Sequence, residues 1–227
     1  NPPAQPTPEH PRAPNSQGSR LALWLTGDML RTNWHTKGVA ADIYDLKAIV
    51  ANIMARLGIN AKEVTLNTTA PDDIYSAGIT IATRSGKTLG TMGIVAKPIL
   101  KLCDIKQPTV FAELDWDALV KLALKRKVTY APLPKTQPVK RDLALLLDQN
   151  ITMDQVEAAV REGERKMLRS IQLFDVYEGD KLPAGKKSYA IAMTLQDDER
   201  TLTDQQIDAA MQRIITSLQR RLNAELR

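Results

Sequence analysis

The chain is 227 residues long, 43% hydrophobic and 25% charged, with a net charge of +5; this is the make-up of ordinary globular protein and leaves room for one or two domains. No apolar run approaches the roughly 18 residues that a spanning helix needs, so no membrane partner is expected. The single cysteine, Cys103, excludes an internal disulfide and fits a reducing, cytoplasmic setting, where it reads as a small buried hydrophobe.

Residues 1–18 hold six of the 13 prolines and no apolar core. They read as an extended Pro-rich arm and not as a signal peptide, and the lack of an initiator Met points to a cut inside a longer chain. Residues 19–132 read as a mixed α/β unit with its linker. Arg20 to Gly27 is expected as a strand. From Ala41 to Leu57, the apolar residues Ile43, Leu46, Ile49, Val50, Ile53 and Leu57 recur at the spacing of a helix with one buried face, and Gly58 stops it. Ala77 to Thr83 and Thr88 to Val95 flank Ser85-Gly86, a hairpin signal, and Val110 to Leu114 forms a strand before a short helix from Asp115 to Leu124. Lys121 to Lys127 is basic, and Pro132, Pro134 and Pro138 then favour an extended connector.

Residues 133–227 read strand, helix, strand, strand, helix, strand. Val139 to Leu147 is the first strand; Thr152 with Gln155 forms a capping box for a helix from Met153 to Arg165. Two strands follow, around Leu173 to Tyr177 and Lys186 to Leu195. Thr203 with Gln206 caps a helix to about Leu222, and Glu225 to Arg227 can finish an edge strand. This βαββαβ order implies a ferredoxin-like sandwich with two helices on one sheet face and the other face free. Alternation places Tyr189, Ile191, Met193 and Leu195 on one side of their strand, and Ser188, Ala190, Ala192 and Thr194 on the other. Asp175 and Tyr177 share a face of the neighbouring strand. If the two pair in register, a carboxylate, a phenol and a hydroxyl line a shallow open surface, suited to a nucleotide base. The pattern by itself also allows a structural role, with Asp175 capping a loop and Tyr177 packing at a sheet edge, or a contact with a small molecule or protein.

The +5 lies wholly in 1–132, because 133–227 carries 15 basic and 15 acidic residues. Recognition of nucleic acid by the second part must therefore come from local geometry and not from bulk attraction to phosphate. Other chemistry finds little support. Ser85-Gly86-Lys87-Thr88 resembles the end of a phosphate-binding loop, but Ile81 stands where the first glycine belongs and a strand follows. The two histidines, His10 and His35, have no metal-ligand spacing to a partner. Asp197-Asp198-Glu199 reads as a solvated turn, and no nucleophile–base constellation is present.

Five ordered strings across the second part carry a family resemblance: Arg141-Asp142-Leu143-Ala144, Leu173-Phe174-Asp175-Val176-Tyr177-Glu178-Gly179, Gly185-Lys186-Lys187-Ser188-Tyr189-Ala190, Arg200-Thr201-Leu202-Thr203-Asp204 and Leu226-Arg227. They resemble the ferredoxin-fold anticodon-binding domain that closes the beta subunit of bacterial phenylalanyl-tRNA synthetase. Residues 19–120 resemble the part before it, a degenerate class II synthetase-like domain without catalytic motifs. There the match rests on Trp24-Leu25-Thr26-Gly27, Trp34, Asp45-Leu46-Lys47 and the hairpin around Gly90 and Gly93. It departs from the family at Asp73-Ile74-Tyr75-Ser76-Ala77, where a His-Pro-Gly-type string is usual, and at Ile94-Val95-Ala96.

The resemblance implies an α+β chain of three parts: the arm at 1–18, a class II synthetase-like antiparallel sheet with helices and linker at 19–132, and a ferredoxin-like βαββαβ sandwich at 133–227. It implies a non-catalytic part of an α2β2 phenylalanine–tRNA ligase, whose alpha subunit holds the active site and whose ATP and magnesium bind outside this chain. The expected partner is tRNA, bound by Asp175, Tyr177 and Ser188, with Arg141 as a phosphate contact. It also implies guanine as the first anticodon base, whose adjacent N1–H and N2–H donors one carboxylate can accept together. The alternatives are a regulatory module that binds a small metabolite and a protein-interaction scaffold.

Overall fold

Leucines at every second position, Leu21, Leu23 and Leu25, give the first strand one apolar side, and the first half of the chain is layered on that choice. The computed structural model describes residues 17–125, 130 and 132–227. The arm at 1–16, with His10, and the end of the basic stretch at 126–127 lie outside the described residues. The chain divides into two compact units, 1–128 and 129–227.

The first unit runs β1 (Arg20–Thr26), β2 (Asp28–Leu30), β3 (Val39–Ala40), α1 (Ile43–Arg56), β4 (Val64–Thr69), β5 (Tyr75–Thr83), β6 (Thr88–Val95), α2 (Lys97–Leu102), β7 (Thr109–Asp115) and α3 (Trp116–Leu124). Five strands form one antiparallel sheet in the order β1-β7-β6-β5-β4, and β2 with β3 makes a separate ribbon. One core joins Leu46 and Val50 of α1 and Leu119 of α3 to Ile81, Met92, Ala112 and Leu114 of the sheet. Asp42 starts α1 by accepting from the N–H groups of Tyr44 and Asp45, with Asp45 returning the bond in a capping box. Phe111 stacks between Trp24, with centroids 3.9 Å apart, and Tyr75, at 6.1 Å.

Two elements of this unit were not anticipated, and one expectation needs correction. Val64–Thr69 is an edge strand and Lys97–Leu102 a helix, both missed because six residues show too little period. Cys103 is exposed, not buried. It caps the end of α2, where the chain turns away from the core.

The second unit runs β8 (Val139–Asp148), α4 (Met153–Gly163), β9 (Leu168–Tyr177), β10 (Lys186–Leu195), α5 (Asp204–Leu222) and β11 (Glu225–Leu226). All pairings are antiparallel in the order β11-β8-β10-β9, the expected βαββαβ sandwich. Leu145, Leu147, Ile191, Met193 and Leu195 face Val156, Val160, Ile207 and Ile214 of the two helices, all nearly inaccessible to solvent. Each such side chain stabilises the fold by about 1.5–3 kcal/mol through burial alone. Both capping boxes form as expected, at Thr152 with Gln155 and at Thr203 with Gln206.

Helix α4 ends at Gly163, two residues before the expected Arg165. A β-carbon on Gly163 would lie 2.7 Å from Ile214 Cα, so α4 and α5 meet backbone to backbone here. Glu164 then leaves the helix and turns inward, accepting from the N–H groups of Lys166 and Met167 and pairing with Arg213. Burial works against its charge, yet the bonds from Met167, Arg213 and Lys166 outweigh it and hold the carboxyl below its ordinary value of 4.5.

Candidate nucleic-acid interface

The helices cover one face of the second sheet and leave the other to small and polar side chains. Register defines two adjacent rows on that open face. Tyr177 of β9 stands opposite Ser188 of β10, Ser188 opposite Leu146 of β8, and Leu146 opposite Glu225 of β11. In the next row Asp175 faces Ala190, and Ala190 faces Ala144. The Ala144 carbonyl accepts from the backbone N–H of Arg227 at 3.0 Å. The second row is thus an arginine and a carboxylate at two sheet edges, with a floor of two methyl groups between them.

A β-bulge makes this arrangement possible. Simple alternation would put Leu173, Asp175 and Tyr177 on the same side. Between Asp175, paired with Ala190, and Leu173, paired with Ile191, the register shifts by one residue. Phe174 is the extra residue, half exposed at the edge. Leu173 therefore turns into the core while Asp175 and Tyr177 stay on the open face.

Asp175 is exposed and makes no hydrogen bond or ion pair with another described residue; it caps no loop. The Tyr177 ring lies against Gly179, where a β-carbon would come within 2.7 Å of the phenol oxygen and 2.8 Å of Cζ. Only glycine lets the ring settle there. The Arg227 guanidinium lies over the same ring, 5.9 Å from its centroid, at the edge of cation–π range. Ser188 is 7% exposed, lower than an open strand would give, because Tyr177 and Leu146 flank it. Its hydroxyl has no partner among the described residues, and no buried side-chain N or O atom among them is left unbonded, so it still meets solvent.

Arg141 does not join these residues. It pairs with Met193 across the β8–β10 ladder, which places it on the helix-covered side, at an exposed strand start where its guanidinium donates to the Lys140 carbonyl. The alternation of Val139, Leu143, Leu145 and Leu147 carries this signal, and it moves Lys140, Asp142, Ala144 and Leu146 to the open face. The residue that the sequence reading missed is Arg227. Only the strand order, with the last strand on the edge beyond β8, brings it to Tyr177. Lys186, also on the open side, is bonded to Asp148 at 2.9 Å; that bond, more than Coulomb attraction from Asp148 and Glu225, raises its pKa.

Two concavities lie elsewhere. One of about 820 Å³ in the first unit is mostly apolar, lined by Tyr75, Val95, Leu100 and Ile105 among others. Another of about 560 Å³ beside Glu164 and Arg213 is polar. Among the described residues no group of three or more His, Cys, Asp and Glu side chains is placed to hold a metal ion, and no helix is long and apolar enough to cross a membrane.

A four-stranded sheet with a hydroxyl, a phenol and an unpaired carboxylate on its open face is the form of a single-strand base reader. Comparison with known proteins agrees with that class. Residues 134–227 match the ferredoxin-fold anticodon binding domain, and residues 7–116 match the phenylalanyl tRNA synthetase beta chain CLM domain. The chain is 43% identical over 224 residues to the phenylalanine–tRNA ligase beta subunit of Porphyromonas gingivalis, covering 99% of this chain and 27% of that one. It is 42% identical to the Bacteroides fragilis subunit, covering 97% and 27%, and 32% identical to that of Geobacillus kaustophilus, covering 93% and 26%. The chain belongs to the phenylalanine–tRNA ligase beta-subunit family. It spans about 27% of the length of these relatives.

Proposed function

We propose that the open face of the second unit binds the anticodon of a phenylalanine tRNA, with Asp175, Tyr177 and Ser188 as its base contacts. The observation that carries the reading is the convergence of these three side chains on one face, with the Asp175 carboxylate unpaired. Guanine fits it. A carboxylate accepts the N1–H and N2–H donors together, and adenine offers no such pair. The Tyr177 ring supplies a stacking surface of the kind single-strand binders use, and the Ser188 hydroxyl can donate or accept at the base edge. Arg141, expected as a phosphate contact, lies on the other side of the sheet from these three side chains.

In this reading the chain contributes binding, and the first unit is scaffold. The ligation itself, with an alpha subunit in an α2β2 assembly in the cytoplasm, uses ATP and magnesium bound by other parts of the enzyme. The reading is tested by fluorescence anisotropy of the 227-residue chain with anticodon stem–loops carrying GAA or AAA. Tighter binding of GAA by tenfold or more is expected; equal binding would overturn it.

A further inference from the structure

Arg227 and Asp175 end the same row of the open face. Between them lie Ala190 and Ala144, whose side chains stop at the β-carbon. Three strand spacings of roughly 4.8 Å separate the two backbones by about 14 Å. That width leaves room for a purine with a hydrogen-bonding side chain on each of two adjoining edges. Neither charge is committed: Arg227 makes no ion pair and Asp175 has no partner among the described residues.

From this arrangement we infer that Arg227 is a second specificity residue for the base held by Asp175, donating to the O6 and N7 acceptors of guanine while Asp175 accepts from N1–H and N2–H. The inference rests on the reading of this face as a guanine site. Guanine is the base with two donors on one edge, for the carboxylate, and two acceptors on the adjoining edge that a flexible arginine can reach and its guanidinium fork can bridge. Adenine presents an amino group beside N7 and would meet the fork with a donor.

In the free chain the Arg227 guanidinium rests over the Tyr177 ring, on the surface a stacked base would take. An incoming base displaces it, and the short way out is back along the Ala190–Ala144 floor, toward the O6/N7 edge that adjoins the edge held by Asp175. The ring contact thus holds an otherwise unpaired arginine extended across the sheet until a base arrives. The backbone bond from Arg227 N–H to the Ala144 carbonyl sets where the side chain starts, so side-chain substitutions leave β11 in place.

The test compares binding of the whole chain and its R227A, R227K and D175N variants to stem–loops whose first anticodon base is guanine, 7-deazaguanine or hypoxanthine. For the native chain both analogues should bind five- to thirtyfold more weakly than guanine. R227A should bind guanine about tenfold more weakly, lose no more with 7-deazaguanine, and keep its penalty for hypoxanthine, which lacks the N2 amino group. D175N should show the reverse pattern. R227K, which keeps the charge without the fork, should behave as R227A toward 7-deazaguanine. If R227A retains the native penalty for 7-deazaguanine, Arg227 does not read that edge. If instead the native chain is indifferent to hypoxanthine and D175N changes nothing, the guanine site itself fails, and the arginine's role with it.

Discussion

Asp175 stands across the β9–β10 ladder from Ala190, one residue past the bulge at Phe174. The carboxylate is left over a floor with no side chain able to bond it. An acidic group on an edge strand usually finds a neighbouring base or cap. Here the small residues that surround it leave the carboxylate without a partner among the described residues.

Replacing Asp175 with Asn keeps the shape and removes one acceptor while adding a donor. The D175N chain should lose most of its preference for guanine over adenine at the first anticodon position. A charged hydrogen bond of this kind is worth about 1.5–3 kcal/mol, so guanine binding should weaken roughly ten- to a hundredfold. Titration of stem–loops with each base checks it; unchanged affinity and unchanged preference would remove Asp175 from the site.

Tyr177→Ala should weaken every loop alike, because stacking does not depend on the base's edge. The expected cost is about 1–3 kcal/mol, with the guanine-to-adenine ratio nearly unchanged. Tyr177→Phe keeps the ring and should retain most of the affinity. Gly179→Ala probes the same ring indirectly, since the new methyl would strike the phenol. Binding should fall toward the Tyr177→Ala value with little change in thermal stability, measured by circular dichroism.

Filling the floor offers a steric test. Ala190→Val adds bulk to the open face without touching the core face of β10, where Tyr189 and Ile191 pack. Loss of stem–loop binding with an unchanged melting temperature is expected. Ile214→Ala is the complementary control: its side chain is fully buried, and truncation should cost about 2–5 kcal/mol of stability.

Much of the second unit was legible because its signals are local. Two capping boxes mark the helix starts, and the alternation from Tyr189 to Leu195 marks the packed face of a strand. The open face and the grouping of Asp175, Tyr177 and Ser188 followed from those patterns. The bulge at Phe174 did not, because it answers the fit of Leu173 into a core built by distant segments. The placement of Arg141 was readable from its own strand's alternation, whereas Arg227 needed the strand order. In the first unit the exposure of Cys103 and the short elements β4 and α2 depend on where the chain turns, which composition does not reveal.

Glu164 supplies a pH signature. Its carboxyl titrates below its ordinary value in the folded state, so the ionised form favours folding. That stabilisation is complete above the unfolded value of 4.5 and is lost as pH falls through the lowered folded value. Glu164→Gln should destabilise by about 1–3 kcal/mol near neutrality, through weakened bonds to Arg213 and the Lys166–Met167 backbone. The gap between the two melting curves should narrow only below that pH. A gap that stays constant into the acid limb would mean the charge plays no part.

The most direct test of anticodon reading is an amide NMR titration of the 227-residue chain with a GAA stem–loop at fixed moderate salt, with a CAA loop as control. The account predicts shifts concentrated at Asp175, Tyr177, Ser188, Ala190 and Arg227, larger for GAA than for CAA. Shifts confined to the helix side of the sheet, or equal for the two loops, would contradict it.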